Sequence, residues 1–478
     1  MLNAGGWFPD ALPACGPGGK SGILSAQTEH IKEIRTSMVD ILPFRGVRYD
    51  PAAAGARLSD LVAPPYDVIS SAEQAALYEK HPANIVRLIL GREEDKYDQA
   101  ARLFREWLAS GVLKADDEPA FYVYHQSFLD PATSAPVPER MGLVCLLKLE
   151  DYSTGRVLPH EKTLTGPKAD RLELLRATEA QFESIYGLYS DPDRAIQSFL
   201  DEYDDRETVI ESVDGMIGSS HRVERITDTN AHAVLRDLLA DTPVFIADGH
   251  HRYETALAYR REVRAARPEV AEDAPLPTDY ILITLTAFED EGLLVLPTHR
   301  LVRNVPEEKI TALPAALAAR FALSESSPET VEAEIADHAA AGGVAFGVVL
   351  PPGMVHLAVL NGESAPASDA SAADRLPVTL LGNLLLEPCL GIDAAAVAAG
   401  GNVSYTRDLA EAVTAVKGGA AQAAFLLGRP TVQEVRDVSL AGDVMPQKST
   451  FFFPKLLSGL VLRDLKADDP MEALLPDA

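Results

Sequence analysis

Asp248-Gly249-His250-His251-Arg252 puts a carboxylate, two imidazoles and a guanidinium in adjacent positions. The apolar run Pro243 to Ala247 before it reads as a strand, and the residues after it follow a helical spacing. The pattern therefore predicts a strand ending at Asp248, a glycine turn, and a helix whose first turn carries His-His-Arg. Backbone N–H groups at a helix start have no partner within the helix, and the helix dipole adds positive potential, so this turn is an anion site. Arg252 adds a fork of donors matched to phosphate oxygens. Adjacent histidines on a helix diverge by about 100°, so they do not form the i, i+4 chelate of a zinc enzyme. In the competing reading Asp248 caps the helix and the histidines face solvent.

Two further stretches carry complementary groups. His160-Glu161-Lys162-Thr163 follows the strand-like Val157-Leu158-Pro159. A carboxylate beside an imidazole and an ammonium can act as a general base, and Thr163 and Thr165 offer hydroxyls to an anion; a polar surface loop has the same composition. Lys448-Ser449-Thr450 precedes Phe451-Phe452-Phe453 and Lys455. A lysine followed by two hydroxyls can hold a phosphate as a point charge plus donors, although the GxxxxGK[ST] frame of a Walker loop is missing. The triple Phe reads as sheet core. Pro64-Pro65-Tyr66-Asp67 is either a rigid turn or the edge of a pocket. His299 and Arg300 leave a strand end where a phosphate oxygen could be met.

These groups need a scaffold, and the chain is long enough to build one. It has 478 residues, 47% hydrophobic and 24% charged, with a mean hydropathy of -0.01. No uncharged apolar run reaches the roughly 18 residues of a membrane span, and no repeat period marks a solenoid. With 71 acidic against 43 basic residues the formal charge is -28, which repels a polyphosphate backbone and argues against nucleic-acid partners. A few cations in one cleft can still reverse the field for a small anionic substrate. Cys15, Cys145 and Cys389 are too few and too widely spaced for a disulfide framework or zinc knuckle, which points to a reducing cytoplasm.

Short apolar runs alternate with helical patterns, so the expected fold class is α+β with a mixed sheet core and an inserted or appended α/β subdomain. A helix is expected over Tyr97 to Leu113, and strands over Phe121 to Tyr124 and Gly142 to Leu149. One hairpin is expected from Tyr280–Leu285 through Glu289–Gly292 to Leu293–Leu296, and another from Val344–Leu350 to Met354–Leu360 around Pro351-Pro352-Gly353. The Gly- and Pro-rich residues 1–37 lack the pattern of a signal peptide and are expected to be a flexible extension, with Met38 as an alternative initiator. The expected division is a catalytic region over 38–304, a small α/β subdomain over 305–360, a polar linker over 361–377, a C-terminal region over 378–466 that completes the phosphate site, and a tail over 467–478.

Taken together, Leu42-Pro43-Phe44-Arg45 with Arg48-Tyr49, Pro64 to Ile69, His160 to Thr163, Ala247 to Tyr253, Leu296 to Arg300 and Met445 to Leu456 resemble the bacterial and archaeal domain of unknown function 1015. The Asp-Gly-His-His-Arg group also resembles that of free serine kinases of the ParB/sulfiredoxin-like superfamily. This resemblance implies a compact α+β domain of that type and a cytoplasmic phosphotransferase making O-phosphoserine from free L-serine, with pyrophosphate or ADP as donor. It implies Glu161 as the base for the serine hydroxyl, with Asp248 and His251 also catalytic and Asp248 holding Mg²⁺. His160, Thr163, His250, Arg252, His299, Arg300, Lys448, Ser449 and Thr450 would then bind phosphate or substrate. Neither nucleic acid nor membrane is an implied partner, and a homodimer stays open. The alternative is a non-catalytic module that senses a nucleotide or phosphate at the same site. A metal-dependent hydrolase ranks last, because the histidine spacing is wrong for chelation.

Overall fold

The computed structural model describes residues 39–161, 166–214, 218–367, 369–468 and 471. The expected extension 1–37, Thr163, and all of the expected tail except residues 467, 468 and 471 lie outside them. Residues 39 onward form one unit.

Its strands are, in order, β1 (Ile41–Leu42), β2 (Val47–Tyr49), β3 (Leu113–Ala115), β4 (Phe121–Leu129), β5 (Pro136–Lys148), β6 (Val157–Pro159), β7 (Ala180–Gln181), β8 (Ile185–Tyr189), β9 (Glu207–Asp214) and β10 (Ser220–Ile226). They continue with β11 (Val244–Asp248), β12 (Tyr280–Ala287), β13 (Leu294–Leu296), β14 (His299–Val302), β15 (Phe321–Glu325), β16 (Ala345–Leu350) and β17 (Met354–Leu360). The last are β18 (Val403–Thr406), β19 (Ala423–Leu426), β20 (Phe451–Phe453) and β21 (Arg463–Asp464).

A large sheet runs β6-β11-β8-β12-β5-β4-β10-β9, with β1 on β5. It is mixed: β6 with β11 and β8 with β12 are parallel, and the other pairs are antiparallel. Side chains alternate between its faces. Tyr122, Tyr124, Val144, Leu146 and Phe245 enter the core that also holds Met445 and Phe452. Phe121, Val123, Leu143, Cys145, Val244 and Ile246 enter the opposite core, beneath Leu235 and Tyr253. Both faces are therefore covered, one by helices Thr229–Leu239 and His250–Ala266, the other by the C-terminal segment. The architecture is mixed α/β around a mixed sheet.

The second sheet, β15-β17-β16-β19-β14-β18, is antiparallel throughout. It takes β14 from before residue 305 and β18 and β19 from beyond 377. Helix Glu307–Ala318 packs on one face through Ile310, Leu313 and Leu317. Helices Val331–Ala340 and Leu409–Lys417 cover the other through Val331, Ile335, Ala412 and Val416. Among the described residues no helix is long and apolar enough to cross a membrane.

The helix expected from Tyr97 spans Lys96–Ala109, and the β16/β17 hairpin pairs Leu350 with Met354 across its turn. The hairpin expected between Tyr280–Leu285 and Leu293–Leu296 does not form. Both edges of β12 are already taken, by β5 and β8. The Asp290 carboxylate accepts from the N–H groups of Gly292 at 2.8 Å and Met141 at 3.0 Å, which turns the chain away. At Gly292 a Cβ would lie 2.5 Å from the Pro138 carbonyl oxygen, so only glycine fits this crossing. β13 then pairs antiparallel with β20, Leu296 opposite Phe451.

Candidate functional site

Parallel pairing of β6 with β11, Ile246 opposite Pro159, sets His160 and Glu161 beside the end of β11. His160 is buried, with Nδ1 2.5 Å from the Ile246 carbonyl oxygen and Nε2 2.7 Å from Thr450 Oγ1. A carbonyl only accepts, so Nδ1 carries the proton and Nε2 accepts from the Thr450 hydroxyl. Burial pushes this imidazole down to about 4, which keeps it neutral. Its carbonyl accepts from Met445 N at 2.7 Å. Through these bonds His160 ties the segment before β20 to the sheet edge.

Glu161 bridges to Met445, and its Oε1 accepts from the Lys448 N–H at 2.8 Å. Lys448 sits at a φ of 56°, a sparsely populated backbone region for a non-glycine residue. The Glu161 side chain is 19% exposed. Burial pushes its carboxyl up to about 7, against the opposing pull of the Lys448 N–H and the Lys448 and Lys455 charges.

Asp248 ends β11 as expected but does not cap the helix. The N-cap position is Gly249, at a φ of 89°, and the Asp248 oxygens meet Lys455 Nζ at 2.8 Å and Arg252 Nη2 at 3.2 Å. Burial opposes ionisation of Asp248, yet these two cations hold it well below the usual carboxylate range. Arg252 also donates to the Ser184 carbonyl at 2.9 Å. Burial, with His160 alongside, keeps His250 neutral, and burial lowers His251 too.

Glu161, Asp248, His250, His251, Arg252, Lys448 and Thr450 line one cavity of about 300 Å³, so three stretches distant in the chain converge there. Tyr66 and Asp67 close one side. Their turn is held by Glu183, which accepts from the Tyr66 N–H at 3.0 Å, and by the Arg171 guanidinium 4.1 Å over the Tyr66 ring. Thr298, Tyr405 and Arg407 close the side facing the second sheet.

Other expected residues stand behind the wall. Ser449 is buried and donates to the Pro446 carbonyl at 2.5 Å. His299 is fully buried and accepts at Nδ1 from Leu427 N at 3.2 Å, and burial lowers it to about 4. Arg300 spends its donors on the Thr298 and Lys448 carbonyls, so it shapes the Lys448 turn. Of the cations that line the cavity, sequence reasoning noted Lys455 beside the triple Phe without assigning it to the phosphate site, and missed Arg407. Lys455 had a weak signal, a single cation following an apolar strand, whereas Arg407-Asp408 reads as an ordinary helix start.

The donor set at Asp248 does not fit a resident metal ion. Mg²⁺ needs carboxylate oxygens free to ligate it, and both Asp248 oxygens are spent on cations. Among the described residues no group of three His, Cys, Asp or Glu side chains could hold a metal. Lys455 and Arg252 supply the positive charge here.

The model of a family described as "Protein of unknown function (DUF1015)" matches residues 41–379, and the protein belongs to that family. Arg407, Lys448 and Lys455 lie beyond the matched region. No curated protein matches the chain. Similar solved structures include a conserved hypothetical protein from Pyrococcus furiosus, with 13% identity and a TM-score of 0.35 over 68% of this chain and 96% of that one. A free serine kinase in complex with AMP has 12% identity and a TM-score of 0.34, over 65% and 86%. SbnI with a C-terminal truncation, from Staphylococcus aureus, has 10% identity and a TM-score of 0.32, over 69% and 92%. At TM-scores this low the likeness says nothing about chemistry.

Proposed function

We propose that this protein is a small-molecule phosphotransferase of ParB/sulfiredoxin-like type that moves a phosphoryl group from pyrophosphate or ADP to the hydroxyl of free L-serine. The observation that carries the reading is a carboxylate tuned to about 7, Glu161, in one cavity with Arg252, Lys448 and Lys455. Phosphoryl transfer asks mainly for positive charge around the transferring oxygens and an oriented nucleophile. Glu161 takes the hydroxyl proton as the serine oxygen bonds to phosphorus. The donor's bridging P–O bond breaks, releasing phosphate from pyrophosphate or AMP from ADP. Lys455 and Arg252, already aimed by Asp248, neutralise the charge that builds on the leaving oxygen. The region 378–466 completes this site by supplying Lys448 and Lys455. The same reading makes the partner a small molecule, with neither nucleic acid nor membrane, and puts the protein in the cytoplasm; assembly as a homodimer is compatible with it.

Phosphorus NMR of the protein with serine and each donor, with and without Mg²⁺, tests the proposal. Phosphoserine is the expected product, and Glu161→Gln should lower turnover at least a hundredfold while leaving donor affinity within about threefold. Absence of phosphoserine with every donor removes it. A second reading, anion sensing without chemistry, draws on Asp248 being neutralised by two cations instead of free to take part. Tight calorimetric binding of ADP without turnover would favour it.

A further inference from the structure

A second cavity, of about 610 Å³, adjoins the pocket, and Val68, Arg407, Phe451 and Lys455 line both. Its walls include Pro64, Pro65, Pro297 and Pro454, whose rings fix the backbone, so its shape exists before anything enters. Leu296 and Leu457 add apolar surface. Where the cavities meet, Arg407 places its guanidinium 4.0 Å over the Phe451 ring, and Lys455 places its ammonium 4.4 Å from the same ring. Two cations held against one aromatic ring repel each other. Lys455 is compensated by Asp248. Arg407 makes no hydrogen bond or ion pair among the described residues.

The acids next to Arg407 direct their hydrogen bonds elsewhere, although the Glu411 charge still reaches its guanidinium. Asp408 caps helix Leu409–Lys417, and Glu411 accepts from the Thr406 hydroxyl. Arg407, with no hydrogen bond or ion pair among the described residues and with only the through-space charge of Glu411 to offset it, stands beside a second cation and can take an anionic ligand. The larger cavity is more acidic, since Glu73, Glu332, Asp408 and Glu411 line it and its own cation Arg429 is paired with Asp130, which disfavours phosphate there. A ligand with a charged end and a neutral body is thereby oriented, its phosphates toward Lys448 and Lys455 and its body among the prolines.

We propose that the two cavities form one site for a diphosphate carried on an organic body, and that Arg407, supplied by the second sheet, is the residue that receives the diphosphate at their junction. This rests on reading the pocket as a diphosphate site and does not require turnover. Calorimetric titration of the full chain with pyrophosphate and with ADP, alone and in competition, separates the inorganic from the organic ligand. ADP is expected to bind at least tenfold more tightly than pyrophosphate and to displace it. Arg407→Gln is expected to weaken both at least tenfold with only a small change in melting temperature, because this side chain is exposed and, apart from its contact with the Phe451 ring, makes no hydrogen bond or ion pair among the described residues; Arg407→Lys should recover part of the loss. Equal affinity for the two ligands, binding without competition, or wild-type affinity in Arg407→Gln overturns the proposal. Binding as expected with no phosphoryl transfer would instead remove the phosphotransferase reading and leave this one standing.

Discussion

Glu161 is the residue on which a rate and a stability measurement should agree. If it is the base, activity requires its ionised form, so turnover should rise with pH to a plateau, with a midpoint near the value of about 7 that burial imposes. A profile that is flat from pH 6 to 8 would exclude it. Its effect on stability has the opposite sign. The native carboxyl holds its proton up to about 7, whereas the unfolded one releases it at an ordinary 4.5. The native state therefore binds more protons across that window, and stability falls as pH climbs through it. Glu161→Gln cannot ionise and should escape this loss, so its melting temperature relative to wild type should be higher at pH 8 than at pH 5. Thermal unfolding at both values checks the sign. Glu161 was legible in the sequence as a carboxylate between His160 and Lys162. Its raised pKa was not, because the raising group is the surrounding protein.

Strand β20 shows how an element positions the chemistry. It has three residues and, among the described residues, pairs only with β13, yet Lys448, Thr450, Phe451 and Lys455 flank or belong to it. Arg140 on β5 clamps it: this buried guanidinium donates to the Phe453 carbonyl at 3.0 Å, the Pro454 carbonyl at 2.5 Å and Gln126 Oε1 at 3.0 Å. Arg140→Met removes these donors and leaves buried carbonyls unpaired, which should cost about 3 kcal/mol and lower pyrophosphate affinity because the cations lose their alignment. Urea denaturation and calorimetry read the two effects; unchanged affinity would show that β20 holds itself. Arg140 carried no sequence signal, since it lies in the polar half of a strand whose apolar half, Leu143 to Leu147, was legible from composition alone. The same limit explains the misassigned hairpin. Local pattern marked β12 and β13 as strands, but the partner of β13 lies more than 150 residues onward, and nothing local shows that the edges of β12 are occupied. Arg407 was missed, and Lys455 noted without a role, for this reason too: each becomes a site residue only through pairings distant in the chain.

At the scale of the molecule, the formal charge of -28 is offset locally by cations drawn from positions 252, 407, 448 and 455, so the pocket depends on how the C-terminal segment is fastened. Beyond Lys455 it bridges Ala63 through Ser458 and Val47 through Leu462, then pairs β21 with β7. At its end Arg463 and Asp468 form an ion pair with both side chains fully buried. Arg463 Nε donates to Asp468 at 2.6 Å, Nη1 to the Tyr280 carbonyl at 2.6 Å and Nη2 to the Pro277 carbonyl at 2.8 Å, while Asp468 Oδ1 has no hydrogen-bond partner among the described residues. A buried pair whose carboxylate is only half satisfied offers little net stability over an apolar one, but losing one partner strands the other charge. Arg463→Met should therefore cost about 3–5 kcal/mol and loosen the strap that carries Lys448 and Lys455, weakening pyrophosphate binding at a site remote from the change. Adding Asp468→Leu to it should return part of the stability, because the stranded carboxylate is gone. Urea denaturation of both variants decides the matter: a double variant no more stable than Arg463→Met would mean that the bonds to Pro277 and Tyr280, and not the ion pair, fasten the segment.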